Sequence, residues 1–109
     1  MLNQIVLVGR LTQDPEIKEL ENGKKVSNIT IAVPRSFKNA DGVYETDFIS
    51  CILSDSIAEN TSEYCHKGDI IGVKGRLQQT TYEDKEGNEV SKLEVIAEKI
   101  TFLSSKKED

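Results

Sequence analysis

Aromatic and cationic side chains lie close together in residues 33–53, and this segment carries the clearest chemical signal of the chain. Phe37 stands between Arg35 and Lys38 near a predicted turn, and Phe48 follows in an extended segment. Bases stack on aromatic rings and phosphates require positive charge, so this pattern suits a single-stranded nucleic acid. An ordinary exposed hairpin would show the same residues, so the segment alone leaves both interpretations open.

The alternation of residue types predicts how this segment is oriented. Side chains in a strand point alternately to opposite faces, so Ile49, Cys51 and Leu53 share one face, which we expect to pack in the core. The other face is polar except for Phe48. The strand therefore predicts an exposed aromatic ring at position 48.

A second segment, residues 67–76, is locally basic. Lys67, Lys74 and Arg76 stand there against the single acid Asp69. If no bulge interrupts the alternation, Lys74 and Arg76 share a strand face with Tyr82. This face is a second candidate for binding phosphates and bases.

Net charge argues in the opposite direction. The 109 residues carry a formal charge of −5, whereas phosphate binding usually leaves a basic footprint. The acids concentrate in residues 41–63 and 83–89, whereas the first half of the aromatic hairpin and residues 67–76 are locally positive. This distribution allows a basic groove on an acidic body, although solvated surface charge gives the same count.

Catalysis and metal binding find little support. The two cysteines are not spaced as a zinc or redox motif, His66 is the single histidine, and we expect no cofactor. Cys65 and His66 are adjacent in a predicted helix and so point in different directions, while the acids of residues 83–86 belong to a solvated turn. No apolar run approaches the ~20 residues of a membrane span. We expect a cytoplasmic binding protein rather than an enzyme.

The pattern of elements predicts an all-β protein. Five strands alternate apolar and polar residues, and one short helix of about ten residues separates the third strand from the fourth. Ser56 and Glu59 form an apparent capping box at its start, and Gly68 follows its end. This order is that of an OB-fold, a five-stranded Greek-key barrel that binds oligonucleotides or oligosaccharides. We expect one domain over residues 1–104 and a polar end over 105–109.

Four segments together resemble the bacterial single-stranded DNA-binding proteins over essentially the full chain. They are LNQIVLVGRLTQDPE, NITIAV, YCHKGDIIGVKGRL and YEDKEGNE. The resemblance implies an OB-fold, a homotetramer, single-stranded DNA as the partner and no catalysis. It also implies a role in DNA replication, recombination, repair or uptake, with association with the nucleoid when DNA is bound.

The resemblance places three of the four stacking positions of the family on Phe37, Phe48 and Tyr82. Tyr44 and Tyr64 are interpreted instead as packing residues. Matching cationic positions are Arg10, Lys18, Lys38 and Lys67, and local charge and strand face add Arg35, Lys74 and Arg76. Arg10 and Arg35 could instead be solvated residues at the rim.

Three departures from the family bear on function. Residues 54–56 read Ser-Asp-Ser where a fourth aromatic is usual, and residues 78–81 read Gln-Gln-Thr-Thr where two arginines are common. The family's long flexible tail with an acidic, partner-recruiting tip is not part of this sequence, whose last residues are Lys-Lys-Glu-Asp. The Gln-Gln-Thr-Thr segment and the net charge of −5 favour the alternative of an OB-fold replication or primosome accessory that binds proteins and holds DNA weakly or not at all.

An oligomer is also expected from strand faces. One barrel cannot easily bury the side chains on both faces of a strand, and this applies to the strands that carry Ile5, Leu7, Ile52 and Ile70. A closed, two-fold-symmetric tetramer would cover the apolar side chains that remain exposed.

Overall fold

The computed structural model describes residues 1–105, which contain six strands and one helix. The elements are β1 (Ile5–Leu11), β2 (Lys18–Glu19), β3 (Lys25–Lys38), β4 (Tyr44–Ser54), α1 (Asp55–Tyr64), β5 (Ile70–Glu83) and β6 (Glu89–Ser104). Residues 106–109, most of the predicted polar end, lie outside the described residues.

Five of the strands close into a barrel. The sheet runs β1-β5-β6-β4-β3, and the pairing of Arg10 with Ala32 and of Leu11 with Ile31 joins β3 back to β1. Strands β4 and β6 are parallel, and the remaining pairs are antiparallel. The two-residue β2 pairs with β3 outside the ring. With α1 between the third and fourth barrel strands, the predicted OB-fold is confirmed.

Alternate residues of each barrel strand form the core. Its members are almost completely buried and mostly apolar: Leu11, Ile29, Ile31, Cys51, Leu53, Ile71, Val73, Val95 and Ala97. Ala58 and Cys65, in α1 and just after it, complete this cluster. The helix packs against the cluster and connects β4 to β5.

The start of the helix differs from the prediction. Ser54 is the N-cap and its side chain makes no capping hydrogen bond, so Ser56 already lies inside the first turn and cannot cap it. Glu59, the other half of the predicted capping box, instead forms a salt bridge of 2.9 Å with Lys25 of β3. The predicted length of about ten residues is confirmed.

The hairpin turns follow the sequence signals. Gly23, Gly42 and Gly87 have φ between 78° and 84°, a conformation that glycine adopts without steric cost. The side-chain oxygens of Asn39 and Asp84 each accept two backbone N–H groups of their own turns. These side chains fix where each hairpin reverses.

The two largest hairpins extend beyond the barrel ring. Strand β1 pairs with β5 only from Ile70 to Gly75, whereas β5 continues to pair with β6 as far as Glu83. Leu77, which shares the strand face of the buried Ile71 and Val73, is consequently 41% exposed. At Leu77 the side chain of Asn3 makes the backbone hydrogen bonds that a neighbouring strand would make. Its Nδ2 donates to the Leu77 carbonyl oxygen, and its Oδ1 accepts from the Leu77 N–H.

Gly75 gives a test of the barrel packing. A Cβ atom at this position would collide with the backbone carbonyl of Ile96, whereas one at Gly72 would meet its nearest neighbours at 3.7 Å. We expect Gly75→Ala to lower the free energy of unfolding by about 1–3 kcal/mol or more, since overpacking displaces backbone. Urea denaturation at matched protein concentration measures this loss, with Gly72→Ala as the control. Equal stability of the two variants would contradict the described close approach.

Candidate nucleic-acid interface

A row of side chains crosses the outer face of the barrel. Arg10 of β1 lies directly opposite Ala32 of β3, and Ala32 lies opposite Phe48 of β4. Neighbouring strands are about 4.8 Å apart, so the backbones of Arg10 and Phe48 are separated by about 10 Å. Phe48 is 69% exposed, as the strand alternation predicts. A cation and an aromatic ring are therefore presented together on one surface.

An open groove of about 360 Å³ lies on the same face. It is lined by Val8, Gly9, Arg10, Ala32, Pro34, Thr46 and Ile70. Its floor is mainly apolar and backbone, with the Arg10 side chain as the charged element. Such a surface suits the planar and apolar parts of a nucleotide, with positive charge available at one side.

The β3–β4 hairpin carries the next aromatic ring. Phe37 is 66% exposed close to the end of β3. The ammonium of the neighbouring Lys38 lies 5.7 Å from the centroid of the Tyr44 ring, a cation–π contact. Tyr44 is itself 56% exposed, so its interpretation as a packing residue is wrong.

The Arg35 side chain is engaged within the hairpin. Its Nε and Nη2 donate to the Asp47 carboxylate at 2.9–3.3 Å, and its Nη1 donates to Glu45 Oε2 at 2.7 Å. Hydrogen bonds to Asp47, and then the charges of Asp47 and Glu45, raise the pKa of Arg35 above its ordinary value. Its role as a phosphate contact stays a prediction, and two carboxylates already offset its charge.

The β5–β6 arm carries Tyr82 near its end, where the ring is 50% exposed. The register of β5 against β6 slips between Lys74 and Gly75, but the extra residue is Glu98 in β6. The alternation of β5 is therefore unbroken, and one face holds Lys74, Arg76, Gln78, Thr80 and Tyr82. Arg76 approaches Glu98 at 3.7 Å, an exposed ion pair that contributes little energy.

The remaining predicted cations lie around the barrel. Arg10 donates to the carbonyl oxygen of Gly68 at 2.7 Å and so ties the segment after α1 to β1. Lys67 lies in that segment, and its backbone N–H donates to Asp14. Lys18 lies on β2 beside a second open cavity. Among residues 1–105, Lys18 and Lys67 make no salt bridge.

Helix α1 presents a further exposed aromatic residue near its end. Tyr64 was interpreted as a packing residue on the apolar helix face, but it is 62% exposed and its ring centroid lies 6.1 Å from that of Phe102. The core-facing positions of the helix are Ala58 and Thr61. The helix face that buries Ala58 and Thr61 therefore does not bury Tyr64.

The chemistry of the described residues does not favour catalysis at the cysteines. Burial raises the pKa of Cys51 and of Cys65 to about 11, so both thiols stay protonated near neutral pH. Residues 1–105 contain no group of three or more potential ligands arranged to hold a metal ion. In the same part of the chain, no helix is long and apolar enough to cross a membrane.

Comparison with known proteins decides the family. A family model described as the Single-strand binding protein family matches residues 2–103. The chain belongs to this family. It is 47% identical over 106 residues to Single-stranded DNA-binding protein B of Bacillus subtilis (strain 168), which covers 97% of this chain and 94% of that relative. It is 49% identical over 109 residues to Single-stranded DNA-binding protein 1 of Staphylococcus aureus (strain MSSA476), covering 100% of this chain and 70% of that relative.

Sequence reasoning missed the acidic partners of Arg35. Glu45 and Asp47 were counted only among the acids that oppose nucleic-acid binding, yet both hold the guanidinium, and Asn39 donates to Glu45 at 3.0 Å. The signal was present in the hairpin, because opposite charges stand on either side of the turn at residues 39–42. Cross-strand pairing of opposite charges would have suggested the contact.

The Asp47 carboxyl gives a pH test of this arrangement. Hydrogen bonds from Arg35, and secondarily its charge, lower the pKa of Asp47 below its ordinary 3.8. The ion pair therefore stabilises the folded state above the ordinary pKa of an aspartate, and this stabilisation is lost as pH falls through the lowered value. We expect carboxyl NMR titration to show Asp47 ionising below 3.8 and returning towards it in Arg35→Gln. The same titration in Arg76→Gln, a cation elsewhere on the surface, should leave Asp47 unchanged; equal shifts in both variants would refute the contact.

Proposed function

We propose that this protein binds single-stranded DNA with little sequence preference and without catalysis. Bases stack on Phe37, Phe48 and Tyr82, while lysines and arginines neutralise the phosphates. The observation that carries the proposal is the exposed Phe48 ring in one row with Arg10 on the outer barrel face. The relatives named single-stranded DNA-binding proteins support the choice of ligand.

The cations contribute unequally in this proposal. Lys18, Lys38, Lys67 and Lys74 make no salt bridge among residues 1–105 and are the strongest candidates for phosphate contacts. Arg10 uses one nitrogen on a backbone carbonyl and keeps other donors for a ligand. Arg35 and Arg76 already face carboxylates. Phosphate binding therefore rests mainly on the lysines and Arg10.

We further propose a homotetramer. Val6 and Val8 of β1 are 66% and 52% exposed, although both are apolar. Residues 5–9 of β1 pair with β5 but not with β3, which leaves one edge of the strand open to a second strand. The sequence predicted an oligomer from apolar residues that included Ile5 and Leu7, and this choice of residues was partly wrong. Ile5 and Leu7 pack against the chain's own core, whereas Val6 and Val8, on the opposite face of β1, are exposed.

The proposed setting is the bacterial cytoplasm, on DNA exposed during replication, recombination, repair or uptake. Replication or recombination proteins are proposed as further partners. The alternative is a replication or primosome accessory that binds proteins rather than DNA. The next experiment distinguishes the two functions, because such an accessory would not bind oligothymidine.

Titration with an unstructured oligothymidine tests the binding proposal. We expect Phe48→Ala and Tyr82→Ala each to weaken binding by about 1–3 kcal/mol, because each removes one stacking surface. Both rings are exposed, so the melting temperature should change little. Tyr64→Ala is the matched control, since it removes an exposed ring on the helix. No saturable binding by the unmodified protein would favour the accessory function, and a loss of stability in the two variants would make the rings structural.

Light scattering tests the assembly. We expect about four times the chain mass of 12.2 kDa at micromolar concentration. The double variant Val6→Glu with Val8→Glu should give smaller species, because it places charges on the exposed face of β1. Val43→Glu, at another exposed valine, should leave the mass unchanged. A monomer mass for the unmodified protein would exclude the tetramer.

A further inference from the structure

The backbone of β3 is irregular where it presents Phe37. Pro34 pairs with Thr46 and Lys38 pairs with Tyr44, so residues 35–37 lie opposite the single residue Glu45. Two residues of β3 are therefore extra. Bulges of this kind bend a strand and re-aim its side chains, so the direction of the Phe37 ring depends on how this irregular segment is held.

Arg35 is the first residue of this segment, and its side chain crosses to the opposite strand. The guanidinium forks onto Asp47 through Nε and Nη2 and reaches Glu45 through Nη1. Glu45 in turn accepts a hydrogen bond from Asn39, whose side-chain oxygen accepts the backbone N–H groups of Asp41 and Val43. A continuous network thus joins the bulge to the turn.

The charge of this network argues against a direct phosphate contact. One guanidinium faces two carboxylates, so the cluster carries a net charge of −1. A phosphate approaching Arg35 would have to displace an Asp47 carboxylate that is already held in a bidentate geometry. Lys38, three residues on, makes no salt bridge among residues 1–105 and meets no such competition.

We propose that Arg35, held by Asp47 and Glu45, is a positioning residue that orders the bulge and fixes the Phe37 ring for stacking. This inference rests on the proposed stacking role of Phe37. Arg35 holds the hairpin in one conformation before DNA binds. The hairpin and the Phe37 side chain therefore lose less conformational entropy on binding. Its own charge contributes no phosphate contact.

Two substitutions with opposite charge effects separate positioning from phosphate binding. We expect Arg35→Gln and Asp47→Asn each to weaken oligothymidine binding about three- to tenfold, the range for one side chain that must be ordered on binding. The double variant should be no weaker than either single one. Asp41→Asn, which removes an acid from the same turn outside the guanidinium contacts, controls for the loss of one negative charge.

The salt dependence supplies the second readout. Each phosphate contact on single-stranded DNA contributes about 0.7 to the slope of log affinity against log salt. Arg35→Gln should leave this slope unchanged, whereas Lys38→Gln should lower it by about 0.7. If Asp47→Asn tightens binding and Arg35→Gln lowers the slope, Arg35 is a phosphate contact restrained by its acids, and the positioning role is overturned.

A fluorescent reporter follows the ring itself. The sequence contains no tryptophan, so Phe37→Trp introduces a single one at the site. Adding Arg35→Gln to this variant should lower the tryptophan anisotropy and shift its quenching by oligothymidine to about three- to tenfold higher DNA concentration. Unchanged anisotropy and quenching would overturn the positioning role alone. If Phe37→Ala binds oligothymidine as the unmodified protein does, the stacking proposal for Phe37 itself fails.

Discussion

Closure of the barrel by a short strand is the constraint on which the rest of the structure depends. Strand β1 has 7 residues, whereas β3 and β5 have 14 each and β6 has 16. The ring can cover only the part of each long strand that lies beside its neighbours. The excess length must leave the barrel as two-stranded hairpins, and these hairpins carry Phe37 and Tyr82 into solvent.

The same constraint assigns the two faces of every barrel strand. The side chains on one face of each strand form a core of almost fully buried apolar residues, and their removal from water stabilises the fold. The other face is free to carry function, and on β1 and β4 it carries Arg10 and Phe48. Binding chemistry can therefore occupy the outer face without weakening the core, because the two sets of side chains never exchange places unless the register slips.

The sequence predicted those parts of the fold that depend on local rules. Strand alternation predicted the exposed Phe48, glycine predicted the turns, and the helix was predicted between the correct strands. It predicted poorly what depends on partners distant in the chain. The exposure of Tyr64 and the packing of Ile5 follow from which neighbouring strand covers them, and a single strand pattern does not contain that information.

The Arg35 network shows the limit most clearly. A basic residue beside Phe37 predicts a phosphate contact from composition alone, and only the cross-strand register shows two carboxylates at its guanidinium. The two extra residues in β3 have no signature in the alternation of residue types. Charges on either side of a turn predict contacts when they are considered as cross-strand pairs, whereas their sum predicts only the net charge of the segment.

The most direct measurement of the central claim is hydrogen–deuterium exchange of the protein with and without a saturating oligothymidine. Binding on the outer face predicts slower exchange in residues 32–48, which hold Phe37 and Phe48, and in residues 78–90 around Tyr82. Peptides from α1 should exchange at the same rate in both states. Protection centred on α1, with residues 32–48 unchanged, would contradict the proposed interface.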